Sequence, residues 1–242
     1  MMLFGYKERI DQWKWFEAEE LNSTNDAIKK LQESDFPAVI SALRQTKGRG
    51  RRGRKWIGIE GNLYFTYSLK ILPQELSQYV CLIGLSLVKT VKRFSPNTKV
   101  EIKWPNDIFM ENKKLTGVLL EHIRDDNWAI GIGVNIAKAP IITDQPYEAT
   151  SLKENWIETD RITFLKKYLI QFSQDLETYK REGFTNIKAE WLKYAYRLGE
   201  EIVIKNEKSE KRGIFLTLDD NGYLVLKTKE GEEKIIAGDL FS

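Results

Sequence analysis

An α+β protein, with a mostly antiparallel sheet backed by helices, is predicted by three features of the sequence. Turn signals recur every few residues between Lys99 and Ile136, a spacing that demands antiparallel strand pairing. Two long apolar stripes at helical spacing, within 78–94 and 160–183, supply helices to back such a sheet. After Gly199 the texture changes to short strands joined by Asp219-Asp220-Asn221-Gly222 and Lys229-Glu230-Gly231-Glu232. That pattern implies a small all-β barrel of roughly 45 residues, at the edge of independent stability. The expected division is a larger domain over 1–195 and a barrel over 196–242.

In chain order, Trp13 to Phe16 is a first short strand. The helix-capping cluster Asn22-Ser23-Thr24-Asn25-Asp26 follows, ahead of a helix over Ala27–Leu31. Ser23 and Thr24 serve equally well as caps or as hydroxyls offered, with the free N–H groups of a helix start, to a polar ligand. Two strands, Phe36–Leu43 and Asn62–Leu69, flank the loop Gln45-Thr46-Lys47-Gly48-Arg49-Gly50-Arg51-Arg52-Gly53-Arg54-Lys55-Trp56. Cations alternate with glycines in that loop, and no acid dilutes them. Glycine permits φ > 0 and close approach to a ligand, while guanidinium forks suit carboxylate or phosphate oxygens. The loop therefore reads as a mobile cover for an anionic ligand. A solvated surface, a localisation signal or a nucleic-acid patch is the competing reading.

Gln78–Phe94 carries Val80, Ile83, Leu87, Val88, Val91 and Phe94 on one stripe, with Lys89, Lys92 and Arg93 near the C-terminal end, where cations suit the helix dipole. Strands over 99–104, 108–110, 114–121 and 128–136 form a meander. Gly131 and Gly133 face the same side of the last one, so something packs tightly there, a helix or a ligand. Asp160 caps a long helix carrying Ile162, Leu165, Leu169, Phe172, Leu176 and Tyr179, which Gly183 closes, and a second helix spans about 185–197.

Composition narrows the chemistry. The 42% hydrophobic and 30% charged content is that of an ordinary soluble domain, and 38 basic against 35 acidic residues give a net charge of only +3. The basic loop is thus a local concentration, which weakens a dedicated DNA-binding role. The barrel's acids (Glu207, Glu210, Asp219, Asp220 and Glu230 to Glu233) argue the same way. The single cysteine, Cys81, reads as a core thiol, and the single histidine, His122, as a strand-end polar residue. A zinc site or a Cys/His or Ser/His nucleophilic machine is thereby nearly ruled out. No stretch approaches the ~18 apolar residues of a membrane span and the N-terminus lacks a signal-peptide run, so the cytoplasm is the expected location.

Four polar constellations call for one explanation: Ser23-Thr24-Asn25, the basic loop, Lys103-Trp104-Pro105-Asn106-Asp107, and Lys113-Lys114-Leu115-Thr116-Gly117. Strand spacing allows Asp107 and Lys114 to lie on adjacent strands, although an Asp near a Lys can be only a surface ion pair. Carboxylate activation by ATP would use all four. Two like charges ~4 Å apart repel by about 4 kcal/mol at an effective dielectric near 20. A carboxylate needs no base, so the site must cancel charge and align the reactants.

The same motifs, Ser-Thr-Asn before a helix, Gln-x-x-Gly-Arg-Gly-Arg-x-Gly-Arg-x-Trp, Lys-Trp-Pro-Asn-Asp, Lys-Leu-x-Gly and Gly-Ile-Gly-x-Asn, occur here in order. Together they resemble the biotin protein ligases (biotin–[acetyl-CoA-carboxylase] ligases), from Trp13 to the end of the chain. The resemblance implies a class II synthetase and lipoate-ligase-like catalytic domain with a mixed, mostly antiparallel sheet, followed by an SH3-like barrel. It implies formation of biotinyl-5′-AMP and pyrophosphate from biotin and ATP, then transfer to a lysine on the biotin carboxyl carrier domain of a carboxylase. By resemblance Ser23, Thr24, Asn25, Gln45, Gly48 and Gly117 line biotin. Arg49, Gly50 and Arg51 belong to the loop over biotin and the adenylate phosphate, and Lys114 contacts the reacting oxygens. Arg54, Trp56 and Asn135 lie along the nucleotide, and Asn106 and Asp107 on the phosphate side, Asp107 with Mg²⁺. The catalytic set implied is Lys114, Arg51 and Asp107. The chain starts almost directly at the catalytic domain, which resembles the monofunctional class and implies no DNA binding. Family members often dimerise through the sheet, so a homodimer is one expectation. The rival enzyme is lipoate protein ligase, which shares the fold and adenylation logic. The rival from another class is a nucleic-acid module, whose binding would fall steeply with salt.

Overall fold

The computed structural model describes residues 4–143, 145, 147–205 and 209–241, so Glu207 lies outside the described residues. Its first elements are β1 (Gly5–Ile10), β2 (Trp13–Leu21), α1 (Thr24–Ile28), β3 (Ala38–Gln45), β4 (Leu63–Lys70) and α2 (Leu76–Phe94). Next come β5 (Val100–Lys103), β6 (Asp107–Met110), β7 (Lys113–Arg124), β8 (Asn127–Val134), α3 (Arg161–Glu182) and α4 (Phe184–Leu192). Five short strands close the chain: β9 (Glu201–Lys205), β10 (Glu210–Leu218), β11 (Leu224–Thr228), β12 (Gly231–Ile235) and β13 (Asp239–Phe241). These elements form two compact units, Met1–Leu72 with Lys113–Ile170 and Pro73–Asn112 with Gln171–Ser242.

In the first unit the strand order is β1-β2-β3-β4-β8-β7. β2 and β3 run parallel, while β1/β2, β3/β4, β4/β8 and β7/β8 run antiparallel, giving the mixed, mostly antiparallel sheet expected. Alternation along β4 divides its two faces. Phe65 and Tyr67 point to the start of α3, where Phe65 meets Tyr168 edge-on at 5.5 Å and the Tyr67 and Tyr168 hydroxyls lie 2.9 Å apart. The opposite face carries Thr66, which lies beside Gly131 in the ladder. Beneath α1, Ala27, Ile28 and Leu31 pack on Phe16, Ala18, Ala38, Ile40, Ala42 and Ala129. Each large aliphatic side chain buried this way contributes roughly 1.5–3 kcal/mol of transfer free energy.

The second unit holds the β5/β6 hairpin, whose ladder sets Lys103 opposite Asp107. Helix α2 buries Ile83, Leu87 and Val88, and Gly84 lets it approach Ile102 closely. Ser86 and Lys89 of α2 donate to Asp175 of α3 at 2.7 and 2.8 Å, satisfying an almost fully buried carboxylate. The C-terminal strands form an antiparallel sheet in the order β12-β11-β10-β9-β13. Cys81 is buried with its Sγ 4.0 Å from the Gly222 carbonyl, and burial raises its pKa, as befits a core thiol. Among the described residues, no helix is long and apolar enough to cross a membrane.

Candidate active site

The glycine pair of β8 organises the face of the first unit's sheet that carries Thr66. A Cβ at Gly131 would lie 2.2 Å from the Asn25 Oδ1, and one at Gly133 would lie 2.4–2.6 Å from the Trp56 indole. What packs tightly on this strand is therefore two side chains, one from the first turn of α1 and one from the end of the basic loop. Gly117 pairs directly with Gly133, so the strand beside Trp56 is also bare of side chain.

At the Gly131 end the polar groups hold one another. Of the two readings the sequence leaves open for the capping cluster, a side-chain cap is not made: Ser23 occupies the N-cap position without a side-chain cap bond. Gln45 replaces it, its Oε1 accepting from the Thr24 backbone N–H at 2.8 Å and the Thr24 hydroxyl at 3.1 Å. The parallel register that pairs Leu21 with Gln45 brings that glutamine to the start of the helix, which no local pattern reveals. Thr66 donates to the Asn25 Oδ1 at 2.6 Å and lies 2.8 Å from the Thr24 Oγ1. The Asn25 Nδ2 donates to Glu121 at 3.1 Å. Ser23, Thr24 and Asn25 are all buried.

Arg49 is locked into the same network. Its Nε and Nη2 donate to Glu121 at 2.9 and 2.8 Å, and its Nη1 and Nη2 donate to Asp26 at 2.9 and 2.6 Å. Lys29 adds a fourth donor group to Glu121 at 3.0 Å. Burial alone would raise the Glu121 pKa, but hydrogen bonds from Arg49, Lys29 and Asn25 outweigh it and hold the carboxyl at about 2. The hydrogen bond from Arg49 likewise lowers Asp26, and Asp26 and Glu121 together raise Arg49.

The loop itself is a tight hairpin. The Trp56 N–H donates to the Gly48 carbonyl at 3.0 Å and the Gly50 N–H to the Arg54 carbonyl at 2.7 Å, with a turn over Arg51–Gly53. Of its glycines, Gly53 takes positive φ (71°), and so does Arg52 (55°). Gly48 is required for a different reason: a Cβ there would lie 2.8 Å from the Trp56 carbonyl. Lys114 sets its ammonium 5.7 Å from the Trp56 ring and 5.5 Å from the Tyr147 ring, within cation–π range. The Trp56 Nε1 is buried with no hydrogen-bond acceptor among the described residues.

The remaining candidates divide between the units. Asn135 is buried in the first, its Nδ2 donating to the Thr150 carbonyl at 3.0 Å and its Oδ1 facing Asn62 at 3.4 Å. Asn106 and Asp107 belong to the second unit, in the turn and first residue of β6, after a cis Trp104–Pro105 bond. His122 sits near the end of β7 with its Nε2 2.6 Å from the Asp125 carbonyl, a strand-end role.

Residues 17–136 match the Biotin/lipoate A/B protein ligase family, and residues 198–241 match the Biotin protein ligase C terminal domain. The chain is 32% identical to the bifunctional ligase/repressor BirA of Bacillus subtilis (strain 168), over 98% of this chain and 76% of that one. It is 33% identical to the biotin--[acetyl-CoA-carboxylase] ligase of Paracoccus denitrificans, over 91% of this chain and 97% of that protein. The chain belongs to the biotin protein ligases. The fold of this ligase also matches the biotin protein ligase from Aquifex aeolicus in complex with biotin and ATP, with a TM-score of 0.83, 32% identity, and coverage of 94% of this chain and 97% of that one. The ligase makes biotinyl-5′-AMP from biotin and ATP and uses it to biotinylate a protein.

Several residues that shape the candidate site escape sequence reasoning. Thr66 and Glu121 look like ordinary strand positions, and Asp26 like one more capping residue. Asn62 is fully buried and ties Asn135 to the segment after β8, accepting from the Ala137 and Lys138 N–H groups and donating to the Lys138 carbonyl. Period-two alternation places Thr66 opposite Phe65 and Tyr67, but its partners come from α1, and only tertiary structure supplies them.

Proposed function

We propose that this ligase separates the uncharged and charged parts of its small substrate along one sheet face. The observation that carries the proposal is the convergence of three distant motifs on two glycines: Asn25 on Gly131, Trp56 on Gly133, and the Lys114 ammonium beside the Trp56 ring. The shelf of Ser23, Thr24, Asn25 and Gln45, with Gly48 and Gly50, suits the neutral, hydrogen-bonding ring system of biotin, and Gly117, opposite Gly133 in the ladder, would line its tail. The carboxylate tail would then extend toward Lys114.

There a carboxylate oxygen attacks the α-phosphorus of ATP. The new P–O bond forms as the α–β bridge breaks, and pyrophosphate leaves. Lys114 and Arg51 offset the like-charge repulsion in the roles the motif assigns them, by electrostatic stabilisation rather than proton transfer. The buried, acceptor-less Trp56 N–H is a donor that a ligand oxygen would satisfy. Arg54 and Asn135 are proposed for the nucleotide, and Asn106 and Asp107 for its phosphates. Among the described residues, no group of three or more His, Cys, Asp or Glu could hold a metal ion, which does not suit a dedicated metal cage. Mg²⁺ arriving with ATP needs only one or two carboxylates, and Asp107 fits that requirement. When bound, Mg²⁺ would neutralise phosphate charge.

In the second half-reaction the neutral ε-amine of an acceptor lysine attacks the acyl carbon. An amide forms, AMP leaves, and the amine proton passes to solvent. The acceptor proposed is the biotin carboxyl carrier domain of acetyl-CoA carboxylase or another biotin-dependent carboxylase, in the cytoplasm. Residues 1–195 would catalyse and residues 196–242 would form the accessory barrel. A homodimer through the sheet completes the proposal. Mass spectrometry of the protein with ATP, a carrier domain and either biotin or lipoate tests this reading. One biotinyl group on one carrier lysine, with AMP and pyrophosphate released, is expected. Adenylate formation from lipoate alone would overturn it.

A further inference from the structure

We infer that Glu121 and Asp26 are positioning residues that hold Arg49 as an internal strut, setting the Asn25 amide and the base of the arginine loop as one piece. The inference rests on the shelf being the biotin-ring end of the site. Hydrogen-bond counting carries it. A guanidinium has five N–H donors, and the Arg49 Nε, Nη1 and Nη2 already make four contacts with two carboxylates of the protein itself. Arg49 is thus committed before any ligand arrives, unlike the anion-covering role its motif suggests. Glu121 joins this strut to the shelf, because one of its oxygens accepts from both Arg49 and the Asn25 Nδ2. An amide whose Nδ2 faces Glu121 must turn its Oδ1 toward Thr66, so Glu121 also fixes which face of Asn25 is a donor.

Charge supports the same assignment. Arg49 and Lys29 balance Asp26 and Glu121, so the cluster is formally neutral. A neutral shelf suits an uncharged ring and gives a carboxylate no reason to bind there reversed. Gly48 and Gly50 flank Arg49, so fixing its side chain also fixes the backbone at the base of the hairpin. Asp26 sits on α1 and Glu121 on β7, so the strut ties helix, strand and loop together.

Steady-state adenylation kinetics of Glu121→Ala and Asp26→Asn, and a double-mutant cycle with Asn25→Ala, test the inference. Losing a hydrogen bond to a charged group costs about tenfold or more, so Glu121→Ala should raise the biotin KM by about that factor. The ATP KM and kcat should stay within about threefold, the pattern of lost ground-state positioning. Asn25→Ala should add little in the Glu121→Ala background, because both changes remove the same contact. Asp26 is half-exposed at the edge of the strut, so Asp26→Asn should act in the same direction more weakly and carries the test if Glu121→Ala fails to fold. An unchanged biotin KM, equal losses in both KM values, or simple additivity with Asn25→Ala would overturn the strut. A wild-type protein that makes no biotinyl-AMP would instead overturn the reading of the site.

Discussion

Gly131 and Gly133 stand two residues apart on one strand, share a face, and receive opposite kinds of neighbour. Over Gly131 the Asn25 amide is held on both sides, by Thr66 and by Glu121. Over Gly133 the Trp56 indole lies flanked by the Lys114 ammonium, with its N–H buried and lacking an acceptor. The first end is pre-organised by hydrogen bonds already made, so a ligand meets donors and acceptors in fixed directions. The second is held by ring packing and leaves a polar requirement that a ligand oxygen would meet. The difference matches the two halves of an acid such as biotin, a neutral ring to be recognised and a charged tail to react.

The sharpest way to break this comparison is at the charged end. Lys114→Ala should slow pyrophosphate release by about 10²–10³, the usual cost of deleting one group that stabilises a developing charge. Calorimetric biotin titration should change by no more than about threefold, since uniform binding and transition-state binding separate in this way. Equal losses in both would mean the ends are not separate. A milder probe is Trp56→Phe, which keeps a ring on Gly133 but removes its N–H. The ATP KM should rise about fivefold, the worth of one hydrogen bond, while the biotin KM holds.

The smallest effect expected lies in acid. Glu121 has a folded pKa of about 2 against a usual 4.5, so its contribution to stability is complete above pH 4.5 and fades as pH falls toward 2. The stability gap between wild type and Glu121→Ala should therefore be constant near neutrality and narrow below pH 4.5, as read by denaturant unfolding. A gap unchanged down to pH 3 would show that the carboxylate's charge does not stabilise the shelf.

Much of the scaffold was legible in local pattern. Asp160 caps α3 as expected, its Oδ1 accepting from the Ile162 and Thr163 N–H groups at 2.8 and 3.0 Å, and Gly183 ends the helix with φ of 75°. Strand β1 was not legible, because its residues are mostly exposed and show no apolar alternation, and backbone pairing to β2 holds it. β13 is only three residues long, too short for periodicity. In the site, the glycine pair and the basic loop announced themselves as motifs. The pairing of Arg49 with Glu121 could not be read the same way, because the two lie 72 residues apart in sequence. A salt-bridged cation and a ligand-binding cation are the same letter until the fold supplies the partner.

The most direct test of a divided site is the pair Gly131→Ala and Gly133→Ala, compared by adenylation kinetics with biotin and ATP varied separately. Each new methyl would overlap its neighbour, Asn25 in one case and Trp56 in the other. Overpacking of this kind costs about 1–3 kcal/mol, equivalent to about 5- to 150-fold. Gly131→Ala should raise the biotin KM and Gly133→Ala the ATP KM, each leaving the other within about threefold. Both substitutions raising the same KM would contradict a divided site.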